Sequence, residues 1–262
     1  MRIATWNVNS IRARIDRVAS WLERSDVDVL AMQETKCRDD QFPEDRFAAL
    51  GYEVAHHGLS QWNGVAICSR VGIDDIALDF DAQPQWGDPP ATEPRAIGAT
   101  CDGVRVWSLY VPNGRDLTDP HYVYKLDWLG RLRDAYAKWL ADEPDLPLAL
   151  MGDWNIAPYD EDVWDMSQFD GKTHVSAGER EAFRAMLDAG LSDVVRPHTP
   201  GPGVYTYWDY KQLSFPKRKG MRIDFILGSP AFADRVDGAS IDREERKGKG
   251  PSDHAPVIVD IA

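Results

Sequence analysis

Short apolar segments of strand length recur along the whole chain and are separated by stretches with helical periodicity. Each segment is rich in Val, Ile or aromatic residues and is bounded by Gly, Pro, Asp or Asn, a pattern typical of buried strands. The predicted strands are residues 3–8, 27–32, 64–68, 104–111, 146–151, 221–227 and 256–261. None of these runs approaches the roughly 20 apolar residues of a membrane-spanning helix.

Three helices are predicted between the strands. Ser10 is a predicted N-cap, and Ile11, Ile15 and Val18 follow it at spacings that place them on one helical face. The other two helices are predicted within residues 124–140 and 179–187. Because strands and helices mix along the whole length, we predict an α/β (α+β) fold, with one domain over residues 1–262 whose sheets are covered by helices.

The net charge of −13 argues against the broad basic surface of a non-specific nucleic-acid binder. Binding to DNA would therefore need local basic clusters around one cleft. Each cluster taken alone is also what a solvated surface looks like. The three candidate clusters are Arg12, Arg14 and Arg17; Lys217, Arg218 and Lys219; and Arg246, Lys247 and Lys249.

The three cysteines, Cys37, Cys68 and Cys101, are odd in number and irregularly spaced. This suits buried, reduced thiols better than a disulfide framework or a zinc site. The N-terminal segment lacks the basic start and apolar core of a signal peptide. We therefore expect a soluble, cytoplasmic protein with no membrane partner, and a monomer because no heptad pattern or large apolar patch is visible.

Polar side chains recur where the predicted strands end. A lone Asn or Asp there is most simply a turn former, but Glu34 is a poor turn residue, and the set recurs at equivalent places. If all of these groups share one rim, the last two predicted strands run opposite to the others. The residues are Asn7, Asn9, Glu34, Tyr110, Asn113, Asp153 and Asn155 after strands, Asp224 near the start of its strand, and Asp253 and His254 just before the last one.

Carboxylates gathered in one pocket repel each other unless a cation is present. Oxygen ligands without paired Cys or His favour a hard ion, Mg²⁺ or Mn²⁺, over zinc. A metal would also reconcile an acidic pocket with an anionic substrate, which indicates metal-assisted phosphoester hydrolysis. His254, if held by Asp224, could stabilise charge on the phosphate, although a lone histidine here is also an ordinary loop residue.

Six motifs in order resemble the exonuclease III class of abasic-site endonucleases, within the endonuclease/exonuclease/phosphatase superfamily. They are WNVNS at 6–10, QETK at 33–36, YVPNG at 110–114, GDWNI at 152–156, RIDFIL at 222–227 and SDHAP at 252–256. The resemblance covers the whole chain. It implies a DNase I-like, four-layered sandwich of two mixed β-sheets flanked by helices, with the active site at one edge.

The resemblance also implies roles for individual residues. Glu34 is similar to the principal Mg²⁺ ligand, with Asn7 and Asp253 close to the ion, while Asn9 stands where some relatives have an acid. Asp153 resembles the residue that orients or deprotonates the attacking water. The implied phosphate-positioning and charge-stabilising residues are Asn155, Tyr110, Asn113, Asp224 and His254, and the implied substrate contacts are Asn9, Asn113, Lys36, Arg222, Tyr207 and Trp208.

The implied reaction is attack by water on the phosphate 5′ to an abasic sugar in double-stranded DNA, leaving a 3′-hydroxyl, together with 3′-phosphodiesterase, 3′-phosphatase and 3′-to-5′ exonuclease activity on blocked ends. Recognition would come from the missing base, because a flipped-out sugar fits a small apolar pocket. In relatives, aromatic residues of the segment matching YTYWDY at 205–210 line that pocket, and many have tryptophan where this chain has Tyr207.

Two alternatives remain open at the level of the sequence. The first keeps the metal site but changes the substrate, since relatives of this fold cleave inositol phosphates, sphingomyelin or DNA without specificity. The second is a non-catalytic DNA-binding or scaffold protein, which the complete set of competent residues disfavours. QETK, YVPNG and the basic segment 217–219 favour the DNA-repair branch.

Overall fold

The computed structural model describes all 262 residues and places two six-stranded β-sheets face to face. The first sheet has the strand order β11-β12-β1-β2-β4-β3 and the second β5-β6-β7-β8-β10-β9. The strands are β1 Arg2–Asn7, β2 Val29–Gln33, β3 Glu53–His57, β4 Val65–Ser69, β5 Asp74–Leu78, β6 Ala96–Cys101, β7 Val104–Tyr110, β8 Leu148–Asp153, β9 Ser192–Asp193, β10 Asp224–Gly228, β11 Val236–Ile241 and β12 Val257–Ile261. The α-helices are α1 Ile11–Ser25, α2 Glu44–Ala48, α3 Pro120–Asp142, α4 Ala177–Asp188 and α5 Pro230–Ala233.

Three layers of apolar side chains hold this arrangement together. The inner faces of the two sheets meet in one cluster, in which Val29 and Ile67 of the first sheet pack with Val106 and Met151 of the second. Helix α1 covers the outer face of the first sheet, and α3 and α4 cover that of the second. Each fully buried Val, Ile or Leu stabilises the fold by about 1.5–3 kcal/mol. The expected four-layered α/β sandwich is thus confirmed.

Strand direction decides where the polar strand ends lie. Strands β1 and β2 are parallel, as are β7 and β8, so each pair ends at a common edge. Strand β10 runs antiparallel to β8 and places Asp224 opposite Asp153, and β12 runs antiparallel to β1. The last two predicted strands therefore run opposite to the strands that end at the rim, as predicted, and both ends of the chain contribute to that rim; β4, the third predicted strand, is also antiparallel to its neighbour β2.

All seven predicted strands are present, with their ends shifted by up to three residues, but five further strands were not predicted. Strands β5 and β11 lie at sheet edges and expose much of their length, so they lack a continuous apolar run. The predicted cap at Ser10 is wrong. Its side chain makes no capping hydrogen bond, and instead the backbone N–H groups of Ser10 and Ile11 donate to the carbonyls of Glu34 and Thr35 at 2.7 and 3.1 Å.

Cys37, Cys68 and Cys101 are all buried and free, as the sequence indicates. Burial raises the pKa of Cys37 and of Cys101 to about 11, so both thiols stay protonated and unreactive at neutral pH. None of the helices combines the length and the hydrophobicity that crossing a bilayer requires.

Candidate active site

The rim formed by the ends of β1, β2, β7 and β8 gathers most of the predicted site residues. A hydrogen bond from the Asn7 amide nitrogen reaches Glu34 Oε1 at 2.8 Å, and a second reaches Asp153 Oδ2 at 2.9 Å. Asn7 and Asp153 are buried, while the Glu34 side chain keeps 16% of its surface exposed. Asn7 therefore ties the carboxylates of two different sheets together at the open edge.

Gly152 explains how β8 reaches this position. Its φ is 151°, and a Cβ at this residue would lie 1.9 Å from the carbonyl oxygen of Leu109 on the parallel strand β7. Any side chain here would push the two strands apart. Only glycine lets Asp153 stand directly beside Tyr110, its register partner.

Lys36, Asn9 and Asp253 extend the cluster on its exposed side. The Lys36 ammonium lies 2.7 Å from Glu34 Oε2 and donates to Asn9 Oδ1 at 2.6 Å. The Asn9 amide nitrogen in turn donates to Asp253 Oδ1 at 3.0 Å. Asn9 thus connects the end of the first strand, the loop after the second and the loop before the last, so the proposed ligands from the N- and C-terminal parts of the chain share one network.

His254 occupies the buried side. Its Nδ1 lies 2.8 Å from Asp224 Oδ2 and its Nε2 lies 3.7 Å from Asp153 Oδ2. All three side chains are at most 4% exposed. Burial alone would lower the pKa of His254, but the carboxylates of Asp224 and Asp153 prevail and raise it to about 10, so the imidazole is cationic at neutral pH.

The carboxylates respond in opposite directions to their surroundings. Burial, with the nearby charges of Asp224 and Glu34, raises the pKa of Asp153 to about 7 despite the opposing effect of His254. Burial would also raise the pKa of Glu34, but the ammonium of Lys36 and its hydrogen bond hold it below the usual value. Glu34 is therefore a permanent anion, whereas Asp153 can exchange a proton near neutral pH.

Asn155 and Asn113 form the wall next to Asp153. The backbone N–H of Asn155 donates to Asp153 Oδ1 at 3.0 Å, and its side-chain nitrogen donates to the carbonyl of Val111 at 3.0 Å. The Asn113 side-chain nitrogen donates to Asn155 Oδ1 at 3.2 Å. These contacts fix the amides that were predicted to hold the phosphate.

His174 belongs to this wall, although the sequence predicted only an ordinary histidine at this position. Its Nε2 lies 3.2 Å from Asn155 Oδ1 and 3.4 Å from the Asn113 amide nitrogen. Burial and the cation of Lys125 lower the pKa of His174 to about 4, so this ring is neutral. No sequence motif identifies His174 as a site residue, because it lies in a loop and its neighbours in space come from distant parts of the chain.

Tyr110 ends β7 beside Asp153 of the second sheet and close to Glu34 of the first. Burial, together with the charge of Glu34, raises the pKa of its phenol well above the usual value. The guanidinium of Arg95 lies 4.9 Å from the centre of its ring. Tyr110 therefore keeps its proton at neutral pH and acts as a hydrogen-bonding group rather than as a base.

Several site residues have left-handed backbone conformations, which are uncommon outside glycine. The φ angles are 44° at Asn9, 53° at Glu34, 52° at Lys36, 51° at Asn155 and 76° at His174. Asparagine tolerates this region, but Glu and Lys occupy it at a cost in free energy. Such conformations gather at functional sites because the surrounding structure holds them there.

The residues present fit a hard metal ion. One ligand atom from each of Glu34, Asp153 and His254 lies within 4.8 Å of the others. The cationic His254, bonded to Asp224, is unsuited to ligate a cation, which leaves the two carboxylates, with Asp253 linked to Glu34 through Asn9 and Lys36. Asn7 donates to both carboxylates while its oxygen accepts the N–H of Asn9 at 3.0 Å, so in this arrangement it orients the ligands.

The segment 205–210 contains one predicted contact that faces the site and one that does not. The ring centre of Tyr207 lies 5.0 Å from that of His254, and Tyr207 packs against the apolar cluster of Ala157, Val163, Met221 and Ile223. Trp208 is only 1% exposed and packs against Tyr205 and Phe215. The prediction that Trp208 contacts substrate is therefore corrected, because the indole supports the loop from beneath.

Arg222 requires the same correction. Its guanidinium is buried and donates to both carboxylate oxygens of Asp193, at 2.7 and 2.9 Å. It also lies 4.4 Å from the ring centre of Phe225. Through these contacts inside the protein, Arg222 holds β9 against β10, and its side chain is not accessible to substrate.

Contacts between residues link the three basic clusters, but some of their cationic side chains are already bonded to other groups of the protein. Arg17 bonds Glu245 and the carbonyls of Lys247 and Lys249. Arg246 is buried, donates to the carbonyls of Trp208 and Ser252, and lies 5.3 Å from the ring of Phe215, which precedes the second cluster in the same loop. Arg17 and Arg246 thus assemble the loops, and the exposed cations left for DNA include Lys217, Arg218 and Lys249.

Known proteins are similar to this chain in sequence and in fold. A model of the Endonuclease/Exonuclease/phosphatase family matches residues 4–254. Exodeoxyribonuclease III of Haemophilus influenzae is 29% identical to this chain, with 98% of each chain covered. An exodeoxyribonuclease of Bacillus subtilis is 28% identical over 98% of each chain.

Two solved structures are similar over the whole chain. The 3′ phosphatase NExo from Neisseria, bound to a product DNA hairpin, has a TM-score of 0.93 and 37% identity, covering 100% of this chain and 99% of its own. An AP endonuclease from Archaeoglobus fulgidus has a TM-score of 0.92 and 34% identity with the same coverage. This chain therefore belongs to the endonuclease/exonuclease/phosphatase family and, within it, to the exonuclease III class of DNA-repair nucleases.

Proposed function

We propose that this protein is a Mg²⁺-dependent hydrolase of phosphate esters in damaged double-stranded DNA, which incises 5′ to abasic sites and removes phosphate or sugar fragments from blocked 3′ ends. One observation carries the proposal. A buried imidazolium, held by Asp224, faces the carboxylate of Asp153 at 3.7 Å beside the anion of Glu34. This arrangement supplies a cationic group, a proton acceptor and a metal ligand within one small space.

Asp153 acts on the water. Its carboxylate is fixed by the Asn155 backbone N–H and the Asn7 amide, at 3.0 and 2.9 Å, so it can orient an attacking water and accept its proton. The water oxygen bonds to phosphorus as the bond from phosphorus to the 3′ oxygen breaks. The leaving oxygen becomes the 3′-hydroxyl after taking a proton from solvent, and the abasic sugar keeps the 5′ phosphate.

His254 acts on the phosphate. With Nδ1 bonded to Asp224, the proton on Nε2 is free to be donated to a non-bridging oxygen. Negative charge grows on that oxygen as phosphorus becomes five-coordinate, so this contact strengthens towards the transition state. Asn155, Asn113 and Tyr110 add neutral hydrogen-bonding groups around the same phosphate.

Glu34, with Asp253, would hold the metal, which leaves Asp153 to act on the water. When bound, Mg²⁺ neutralises the carboxylates and polarises the phosphate, and Mn²⁺ can take the same oxygen ligands. The absence of a thiolate and the cationic state of His254 favour these hard ions over zinc.

Selection of damaged DNA is proposed to come from space and charge. The ring of Tyr207, backed by the buried cluster that includes Met221 and Ile223, gives an apolar surface beside His254, suited to a sugar that carries no base. The exposed cations Lys217, Arg218 and Lys249 lie in the loops that precede Met221 and Asp253, and would hold the DNA backbone. The names of the similar structures, a 3′ phosphatase and an AP endonuclease, support both activities.

The test uses four substrates with Mg²⁺: a duplex with one tetrahydrofuran site, a duplex with a recessed 3′-phosphate, an intact duplex and a phosphoinositide. We expect cleavage at the tetrahydrofuran site and release of the 3′-phosphate, with the intact duplex and the lipid much slower. Asp153→Asn is the inactive control. Equal cleavage of the intact and tetrahydrofuran duplexes, or preference for the phosphoinositide, would refute the proposed substrate.

We also propose that the protein works as a monomer, because its sequence shows no heptad pattern or large apolar patch, and in the reducing cytoplasm, because its three thiols are buried and unpaired. Light scattering after size-exclusion chromatography, with and without the tetrahydrofuran duplex, would check the monomer. A dimeric mass in both samples would contradict it.

A further inference from the structure

Three loops that carry phosphate-positioning side chains come from separate parts of the chain. Asn113 follows β7, Asn155 follows β8, and His174 precedes α4. Their side chains meet at 3.2–3.4 Å. Backbone hydrogen bonds join the loops in pairs, from Val111 to Asp153 at 2.9 Å and from Ala157 to His174 at 2.7 Å. A further set of contacts, beneath the loops, joins all three.

Lys125 of α3 lies at that point. Its ammonium is fully buried and donates to the backbone carbonyls of Asn155 at 2.6 Å and Asn113 at 3.3 Å. Its third contact is with Glu179 Oε1 at 2.5 Å. One turn earlier on the same helix, His121 Nδ1 accepts the N–H of Gly114 at 3.1 Å. Helix α3 therefore forms hydrogen bonds with the backbone of two of the three loops.

Glu179 of α4, which is also fully buried, reaches the third loop. Its Oε1 accepts the backbone N–H of His174 at 2.9 Å as well as the Lys125 contact. Its Oε2 accepts from the backbone N–H and hydroxyl of Ser176, the N-cap of the helix, at 3.1 and 2.6 Å. Every oxygen of this carboxylate and every proton of the facing ammonium thus has a partner.

A buried ion pair is a weak source of stability, because desolvation of the two charges offsets their attraction, and apolar replacements are often as stable. A role in stability alone would not require three contacts to backbone groups of site loops. We propose that Lys125 and Glu179 are positioning residues that fix Asn113, Asn155 and His174 for the reaction. This inference rests on the proposed function, and neither residue touches the substrate.

The size of the effect follows from the geometry. Displacing an aligned group by about 1 Å lowers a rate by up to ~10²-fold. Lys125→Met removes the three donors and keeps an unbranched side chain, so we expect kcat on the tetrahydrofuran duplex to fall by about 10²-fold. The dissociation constant for DNA should stay within about threefold, since no DNA contact is lost.

Lys125→Met leaves a buried, unpaired carboxylate and could unfold the protein, so a second variant is needed. The double variant Lys125→Met with Glu179→Gln removes both charges, and its melting temperature should recover towards that of the wild type while kcat stays low. Met186→Ala is the matched control, because Met186 is fully buried in α4 among apolar side chains and makes no hydrogen bond to the three loops. It should lower the melting temperature and leave kcat unchanged.

Hydrogen exchange of residues 111–115, 154–158 and 172–176 gives a readout apart from activity. We expect faster exchange in both Lys125 variants and wild-type exchange at these loops in Met186→Ala. Recovery of kcat together with the melting temperature in the double variant would overturn the proposal, and so would unchanged exchange in all three loops. If the wild-type protein cleaves none of the DNA substrates, the proposed function fails, and exchange alone decides the positioning role.

Discussion

The pair formed by His254 and Asp224 offers the sharpest test of the site. Asp224→Asn keeps the size of the side chain but removes the charge that orients and sustains the imidazolium. The amide oxygen introduced by this substitution can accept from Nδ1–H, which leaves Nε2 of the neutral ring without a proton, whereas an amide NH₂ turned to Nδ1 would keep the Nε2 proton on an uncharged ring. We therefore expect a loss of turnover with little change in DNA binding.

The magnitude follows from the contacts. Nδ1 lies 2.8 and 3.1 Å from the two Asp224 oxygens, and both side chains are at most 4% exposed, so solvent cannot replace the interaction. A hydrogen bond to a charged group is worth about 1.5–3 kcal/mol. Loss of one donor to the developing charge costs about 2.7–4 kcal/mol in the transition state. We expect kcat to fall by about 10²- to 10³-fold.

Single-turnover cleavage of the tetrahydrofuran duplex measures kcat apart from binding, and fluorescence anisotropy measures DNA affinity. The matched control is Asp193→Asn, the same change at an acid on the adjacent strand whose side chain is 11% exposed and whose partner Arg222 does not face the site. Asp193→Asn should cost stability and leave kcat within threefold. A folded Asp224→Asn protein with kcat within threefold of the wild type would refute the role assigned to the pair.

Four further outcomes are expected. Asp153→Asn should lower cleavage by ~10³-fold or more while DNA affinity stays within tenfold, because the group acts in the transition state; an equal loss of affinity would contradict this. Glu34→Gln should raise the Mg²⁺ concentration for half-maximal activity at least ~10-fold, with metal titration as the measurement. Tyr207→Ala should lower kcat/KM on the tetrahydrofuran duplex about 10-fold, as loss of pocket packing does, whereas Trp208→Phe should lower only the melting temperature. Burial would raise the pKa of Asp193, but the hydrogen bond and charge of Arg222 lower it in the folded protein. The Asp193 carboxylate therefore stabilises the fold fully above its unfolded pKa of about 3.9, and this stabilisation is lost as the pH falls through its folded pKa. The free energy of unfolding by urea should therefore differ more between wild type and Asp193→Asn at about pH 7 than at about pH 3, and an equal difference at both would contradict this reasoning.

Continuous apolar runs made most central strands predictable and the edge strands not. The central strand β6 was also missed, because its Ala and Gly residues have low strand propensity. Strands β1, β2, β7 and β8 lie inside their sheets, so their apolar runs are continuous and mark their own ends. Strands β5 and β11 face solvent and carry mixed residues, and β9 has only two residues. The Ser10 prediction failed because the α1 N-terminus is capped by carbonyls of the Glu34 loop, a contact between segments that no local pattern reveals.

Residue chemistry predicted that Glu34, Asp153, Asp224 and His254 share one site, because Glu34 is a poor turn residue and the polar residues recur at equivalent strand ends. Residue chemistry did not predict the direction in which each side chain points. Trp208 and Arg222 stand in motifs next to site residues, yet the alternation of extended backbone or a buried ion pair turns them inward. Adjacency in sequence therefore does not imply access to the substrate.

The order of strand-length segments, the polar residues at their ends and the motifs determined the fold, the family and the main chemical groups, since these depend on local patterns and residue type. The tertiary structure alone decided that Asn7 bridges two carboxylates, that His174 joins the phosphate wall, and that Lys125 and Glu179 lie beneath three loops. These features depend on contacts between segments that lie dozens of residues apart in the sequence but within a few ångströms of each other in space, where burial and charge act.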